Sequence, residues 1–126
     1  MDKQRYETGL RVRKEVLGAE FVERSLSGAT DFNRHFQELV TEYCWGEVWG
    51  SEVLPRKTRS MLNLAMISIL NRPHELRVHI KGALVNGVTR DEIREIFMQV
   101  AIYAGVPAGV DSFRIAREVF AELDKA

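Results

Sequence analysis

The sequence predicts an all-α fold, a compact bundle of five or six helices in a single domain over residues 1–126. Three observations carry that expectation. Apolar residues recur at three- and four-residue spacing along most of the chain, and no segment alternates apolar with polar residues for more than a few positions. Helix stop and start signals at Gly18, Pro55, Pro73, Asn86-Gly87 and Gly105-Val106-Pro107 separate the periodic stretches. A length of 126 residues without internal repeats or low-complexity runs fits one domain.

The first helix runs over Asp2–Leu17, with Tyr6, Leu10, Val16 and Leu17 along one side and Gly18 as its stop. A short helical piece over Ala19–Leu26 ends at Ser27-Gly28. Thr30 or Asp31 can cap the next helix, whose apolar residues are Phe32, Phe36, Leu39, Val40 and Tyr43. The stretch CWGEVWGSEVLP breaks the period and reads as an ordered, non-helical connection, because Trp45 and Trp49 are too apolar to leave solvated. Pro55 marks a helix start, and the helix through Leu70 is apolar around most of its circumference, which predicts the central buried element. Pro73 opens another helix that stops at Asn86-Gly87. Thr89 and Glu92 form a capping box ahead of the stripe Ile93, Ile96, Phe97, Val100, Ala101 and Ala104. A last helix presents Val110, Phe113, Ala116, Phe120 and Leu123.

Composition excludes several function classes. Eighteen Lys and Arg balance eighteen Asp and Glu, so the chain lacks the surplus cations of a general nucleic-acid binder. One cysteine excludes an internal disulfide framework, a Cys-only metal cluster and dithiol exchange within the chain. The opening MDKQRYETG lacks the apolar core of a signal peptide, and Met61–Leu70 is shorter than the roughly 20 residues that span a bilayer. A cytoplasmic protein without membrane association is expected. The apolar helix faces exceed what a small bundle hides, so a homo-oligomer is expected as well.

No nucleotide-binding loop, C-x-x-C, H-E-x-x-H or G-x-S-x-G motif is present. His74 and His79 lie about 140° apart around one helix and share no face with each other, so no metal site is expected. Glu75 precedes His79 by one turn and can orient the imidazole as a tuned acid or base, or the two form a plain surface pair. Arg56, Lys57 and Arg59 crowd a helix N-terminus that disfavours cations, which fits either an anion site or a solvated or salt-bridged face. Glu47 stands between Trp45 and Trp49, where apolar walls would raise its pKa unless it points to water. Tyr103 is a candidate oxyanion donor or a core-edge tyrosine, and Cys44 reads as a buried small residue.

The strings WGEVWGSEVLPRKTRSMLNLAM and ELRVHIKGALVNGVTRDEIREIFMQVAIYAGVPAG, in that order, resemble the carboxymuconolactone decarboxylase family. The resemblance reaches back to RYETGLRVRKEVLG and covers nearly the whole chain. The wider alkylhydroperoxidase-like superfamily carries a C-x-x-C-x-x-x-H motif. Spacing back from Gly87 places its histidine at His79 and its cysteines at Arg72 and Glu75, so both sulfurs are missing. The resemblance implies an α-helical fold assembled as trimers or hexamers. It also implies decarboxylation of γ-carboxymuconolactone to β-ketoadipate enol-lactone in protocatechuate catabolism. No cofactor is expected, because that dicarboxylate lactone is its own electron sink. On this reading His79, oriented by Glu75, and then Glu47 handle protons. Arg56, Arg59 and Arg72 compete to hold carboxylates, Tyr103 is a weaker donor, and Trp45 and Trp49 exclude water. Two alternatives stay open: a paralogue acting on another small lactone or keto acid, and a non-catalytic oligomeric protein that binds small anions.

Overall fold

Seven α-helices and one π-helix, with no strand, make up the chain in a computed structural model that describes all residues, Met1–Ala126. The helices are α1 (Lys3–Leu17), α2 (Ala19–Ser27), α3 (Arg34–Leu39), a π-helix (Val40–Val48), α4 (Arg56–Leu70), α5 (Pro73–Val85), α6 (Arg90–Ala104) and α7 (Val106–Lys125). The all-α expectation holds, with more helices than the five or six anticipated. The chain divides into two compact units, Met1–Arg56 and Lys57–Ala126.

In Met1–Arg56, Asp2 caps α1 by accepting from the Arg5 backbone N–H at 3.0 Å, and Gly18, at φ 95°, ends it. Both α1 and the π-helix are glycine-notched where they meet. A methyl on Gly9 would collide with the Thr41 carbonyl and stand 2.8 Å from the Gly46 nitrogen. That close approach lets Val12 and Val16 pack with Trp45 and Trp49, whose rings stack at 4.9 Å. The indoles are buried, as their size demands, but the segment around them is not the non-helical connection expected. It stays helical to Val48, in the wider π form, before the chain turns at Trp49-Gly50. Asn33, rather than Thr30 or Asp31, is the cap residue of α3, and its side chain accepts from the Thr30 N–H at 2.7 Å.

Three further expectations are corrected in this unit and the next. Phe32, Phe36, Leu39 and Tyr43 keep the helical spacing of a core stripe yet stand exposed. Cys44 is exposed rather than buried. The third concerns α4, which is not buried all round: Ser60, Leu64 and Ser68 face inward, whereas Leu62, Met66, Ile69 and Leu70 are exposed.

In Lys57–Ala126 the core gathers Leu64 from α4, Leu76, Ile80 and Ala83 from α5, Ile93 and Phe97 from α6, and Ile115 and Val119 from α7. Thr89 and Glu92 close the predicted capping box on α6, each side chain accepting from the other's backbone N–H. Gly109 lets α7 approach α6, since a methyl there would lie 2.6 Å from the Ala101 methyl. The C-terminal end of α5 is tied to the start of α4 by the Asn86 amide donating to the Ser60 hydroxyl at 2.9 Å. No helix is long and apolar enough to cross a membrane.

Candidate active site

Four of the candidate residues lie in Met1–Arg56. Trp45 and Trp49 form its core with Val12 and Val16. Glu47 leaves the same π-helix on the solvent side, where its carboxylate pairs with the Arg5 guanidinium at 3.2 Å. Arg5 also lies over the Tyr43 ring at 5.0 Å, so the guanidinium links an acid and an aromatic face. No pair of apolar walls encloses the Glu47 carboxylate, which is mostly exposed. Arg56 donates to Glu15 at 3.3 Å. That guanidinium, together with Arg11, holds the Glu15 carboxyl below the ordinary range against an opposing effect of burial. A hollow of about 160 Å³ beside Trp49 is lined by Arg11, Gly50, Glu52, Pro55 and Arg56.

The other candidates lie in Lys57–Ala126. Of the cations around the start of α4, Lys57 reaches the Glu92 carboxylate at 3.0 Å and Arg56 is neutralised by Glu15. Arg59 is different. Its Nε is buried with no hydrogen-bond partner, and it forms no ion pair. A buried guanidinium N–H without an acceptor is unfavourable until an anion arrives, and a carboxylate is its natural partner. Arg72 spends its guanidinium locally, donating to the carbonyls of Leu70 at 3.1 Å and Asn71 at 3.3 Å. Those bonds close the turn after α4, where Asn71 takes a left-handed φ of 57°.

His79 sits on α5 beside Leu76, Ile80 and Ala83, half-buried at the margin of the core. Burial pulls its pKa below the ordinary histidine value, and the Glu75 carboxylate one turn earlier pulls it back up without overcoming burial. The Glu75 charge therefore acts on the ring, but burial outweighs it. The imidazole is neutral at neutral pH, able to donate from one nitrogen and accept at the other. Tyr103, at the end of α6, is exposed at the rim of an apolar groove on α4 and α6. No three His, Cys, Asp or Glu side chains gather as metal ligands would.

Arg5 and Glu15, which occupy the two acid–base partners Glu47 and Arg56, were not among the residues that sequence spacing singled out. Each lies on α1, some forty residues from its partner, and only the α1–π-helix packing or the return of the chain to Arg56 brings them together. No local spacing signals such pairs.

Comparison with known proteins fits these features. The profile of the carboxymuconolactone decarboxylase family matches residues 34–118, more than half of the chain. The chain belongs to the carboxymuconolactone decarboxylase family. The matched span covers α3 through most of α7, and thus His79, Glu75, Arg59 and the tryptophan-bearing π-helix. Among characterised relatives of this decarboxylase family, the chain is 46% identical over 122 residues to a 4-carboxymuconolactone decarboxylase of Acinetobacter baylyi, covering 97% of this chain and 91% of that one. It is 40% identical over 123 residues to a nitrosuccinic acid decarboxylase of Metarhizium robertsii, covering 98% and 86% respectively. A 4-carboxymuconolactone decarboxylase of Pseudomonas putida is 46% identical over 46 residues, which is 36% of this chain and 96% of that sequence.

Proposed function

We propose that this chain is a cofactor-independent carboxy-lyase that converts γ-carboxymuconolactone to β-ketoadipate enol-lactone in the cytoplasm, acting as one domain and as a homo-oligomer, a trimer or hexamer. The observation that carries the reading is 46% identity to a 4-carboxymuconolactone decarboxylase across nearly the full length of both chains.

The chemistry asks little beyond placement. The ring C–carboxylate bond breaks, CO₂ departs, and the electron pair passes through the ring alkene to the lactone carbonyl oxygen. A proton then adds at ring carbon, so each turnover consumes one proton. Positive charge on the departing carboxylate would stabilise the ground state and oppose its loss. Arg59, with its unpartnered buried Nε, is therefore assigned to the acetate carboxylate that stays. His79, neutral and oriented by Glu75, offers an N–H to the lactone oxygen as charge arrives there. Glu47, Arg56, Arg72, Tyr103, Trp45 and Trp49 remain as second candidates. The ion pairs of Glu47 and Arg56 and the local bonds of Arg72 must open before any of these three acts.

A second reading has its own support in the 40% identity to a nitrosuccinic acid decarboxylase. A nitro diacid presents the same elements: one carboxylate to lose, one to hold, and an oxygen-bearing group that takes up the electron pair. The deciding experiment incubates the purified protein with each substrate and follows CO₂ release, with loss of the lactone ultraviolet absorbance as the second readout for γ-carboxymuconolactone. Turnover of γ-carboxymuconolactone is expected. Turnover of nitrosuccinate alone would replace the first reading by the second, and binding of either without CO₂ would leave only an anion-binding protein.

A further inference from the structure

The groove shared with α6 takes one flank of α4, through Met61, Leu62, Ala65 and Ile69. On the opposite side α4 meets α5, and Ser60 marks the contact, its hydroxyl accepting from the Asn86 amide at 2.9 Å. A two-residue turn, Asn71-Arg72, joins the helices, and the start of α4 meets the end of α5, so the pair runs antiparallel. On α5, Arg77 turns to α7, where it pairs with Glu118 and Glu122. His79 lies on the other side. It precedes Asn86 by seven residues, which places the two within about 20° of each other around the helix. The flank of α5 that reaches Ser60 therefore also carries His79.

One uncharged polar residue of α4 shares that flank and has no task in the fold. Asn63 stands about 60° from Ser60 around the helix, turned away from the groove, and is half-buried. The buried hydroxyls of α4 are engaged, Ser60 with Asn86 and Ser68 with the Leu64 carbonyl at 2.6 Å. The Asn63 amide, able to donate from its nitrogen and accept at its oxygen, makes no hydrogen bond within the chain. It lies one turn beyond Arg59, about 6 Å along α4. With Ser60 opposite Asn86, His79 comes level with Ile67, about 6 Å further on. The amide thus stands midway along the line from Arg59 to His79.

γ-Carboxymuconolactone presents its groups in a matching order. Its γ-carbon bears both the acetate and the departing carboxylate, and the lactone carbonyl stands on the far side of the ring. With the acetate on Arg59 and the lactone oxygen at His79, the γ-carbon falls between them. We propose that the Asn63 amide donates to the carboxylate that leaves. The bond to that carboxylate must stand across the plane of the ring alkene for its electron pair to enter the π-system, and a hydrogen bond fixes this orientation. A neutral donor does so without the full charge that would stabilise the ground state against loss of CO₂. Asn63 is in this sense a substrate-positioning residue, and the assignment rests on the γ-carboxymuconolactone reading.

Two unreactive lactones test it. One is the ring-saturated analogue with both carboxylates, which lacks the alkene that takes up the electron pair; the other is its counterpart with the acetate alone. In isothermal titration calorimetry, Asn63→Ala should weaken the first by about tenfold or more, as loss of a hydrogen bond to a charged group does, and leave the second unchanged. Arg59→Ala should weaken both. With γ-carboxymuconolactone, Asn63→Ala should lower kcat by about 10–10²-fold through misorientation. Far-ultraviolet circular dichroism verifies folding, and Asn63→Leu, close to asparagine in shape, takes the place of the alanine variant should that unfold. Equal weakening of both analogues, or of neither, would overturn the role of Asn63 and leave the decarboxylase reading standing. An unaltered protein that neither binds the analogues nor turns over γ-carboxymuconolactone would overturn both.

Discussion

The imidazole of His79 lies one helical turn beyond the Glu75 carboxylate on α5, and burial and that carboxylate act on its proton in opposite senses, with burial dominant. His79 is half-buried beside a core built from Leu76, Ile80 and Ala83, while Glu75 is exposed and its charge is damped by water. The result is a histidine whose proton is released more readily than that of a free imidazole, with a carboxylate one turn away that opposes the release.

That balance is directly measurable. In a titration followed by nuclear magnetic resonance, His79 should show a midpoint below 6.5, the value an unperturbed histidine takes. Glu75→Gln removes the upward pull and should lower the midpoint further. A midpoint that stays put or rises in the variant would mean that Glu75 does not act on the ring.

Stability should follow the same proton. The folded-state pKa is lowered, so on acidification through about 6.5 the unfolded chain binds a proton before the folded chain does. Unfolding free energy should therefore fall as pH drops through that value and cease to fall, for this group, below the folded-state midpoint. Urea melts from pH 7.5 to 5 on the protein and on His79→Gln should show that part of the slope only in the former.

Activity separates the roles of the two main candidates. His79→Ala should lower kcat by about 10²–10⁴ if its N–H meets the developing charge, with the oligomer intact. Arg59→Ala should instead chiefly raise KM, because holding the retained carboxylate is binding common to ground and transition states. Arg56→Ala is the control: its exposed pair with Glu15 is worth about 0–1 kcal/mol, and neither kinetic constant should move if Arg56 stays engaged there.

Packing in the N-terminal unit has a sharper dependence on one atom. Gly9→Ala sets a methyl against the backbone of Thr41 and Gly46, neither of which is the flexible end of a side chain. Overpacking of this kind should destabilise by about 1–3 kcal/mol or more, seen as a shift in the urea midpoint. Gly28→Ala, where a methyl would meet only the Arg24 carbonyl at 3.1 Å, should cost less.

Periodicity read the helices well where one face is covered within the same chain. Ile93, Phe97 and Val100 of the α6 stripe are buried, although Ala104 at its end is exposed, and the capping box of α6 and the Pro73 start of α5 appear as expected. It failed where spacing and burial part company. Phe32, Phe36, Leu39 and Tyr43 are spaced like a core stripe because they form one face, and spacing cannot say whether that face meets its own chain, another copy or water. Met66 and Ile69 on α4 misled for the same reason. At the candidate site, the Glu75–His79 pair was legible because it is local. The neutralisation of Arg56 by Glu15 and of Lys57 by Glu92 was not, since each joins residues far apart in sequence. Those pairs are what single out Arg59 within a cluster that composition treats as uniform.

The π-helix carries a spectroscopic consequence. The change from α to π hydrogen bonding between Leu39 and Val40 sets the rotation at which both indoles arrive against Val12 and Val16. Moving that switch by one residue, for instance by a deletion within Val40–Val48, would keep the segment helical but turn its faces. Far-ultraviolet circular dichroism would hardly register the change. The emission of Trp45 and Trp49, the only tryptophans in the chain, would shift to the red as their rings met water. The two indoles are thus a built-in gauge of helical phase, read by colour rather than by helix content.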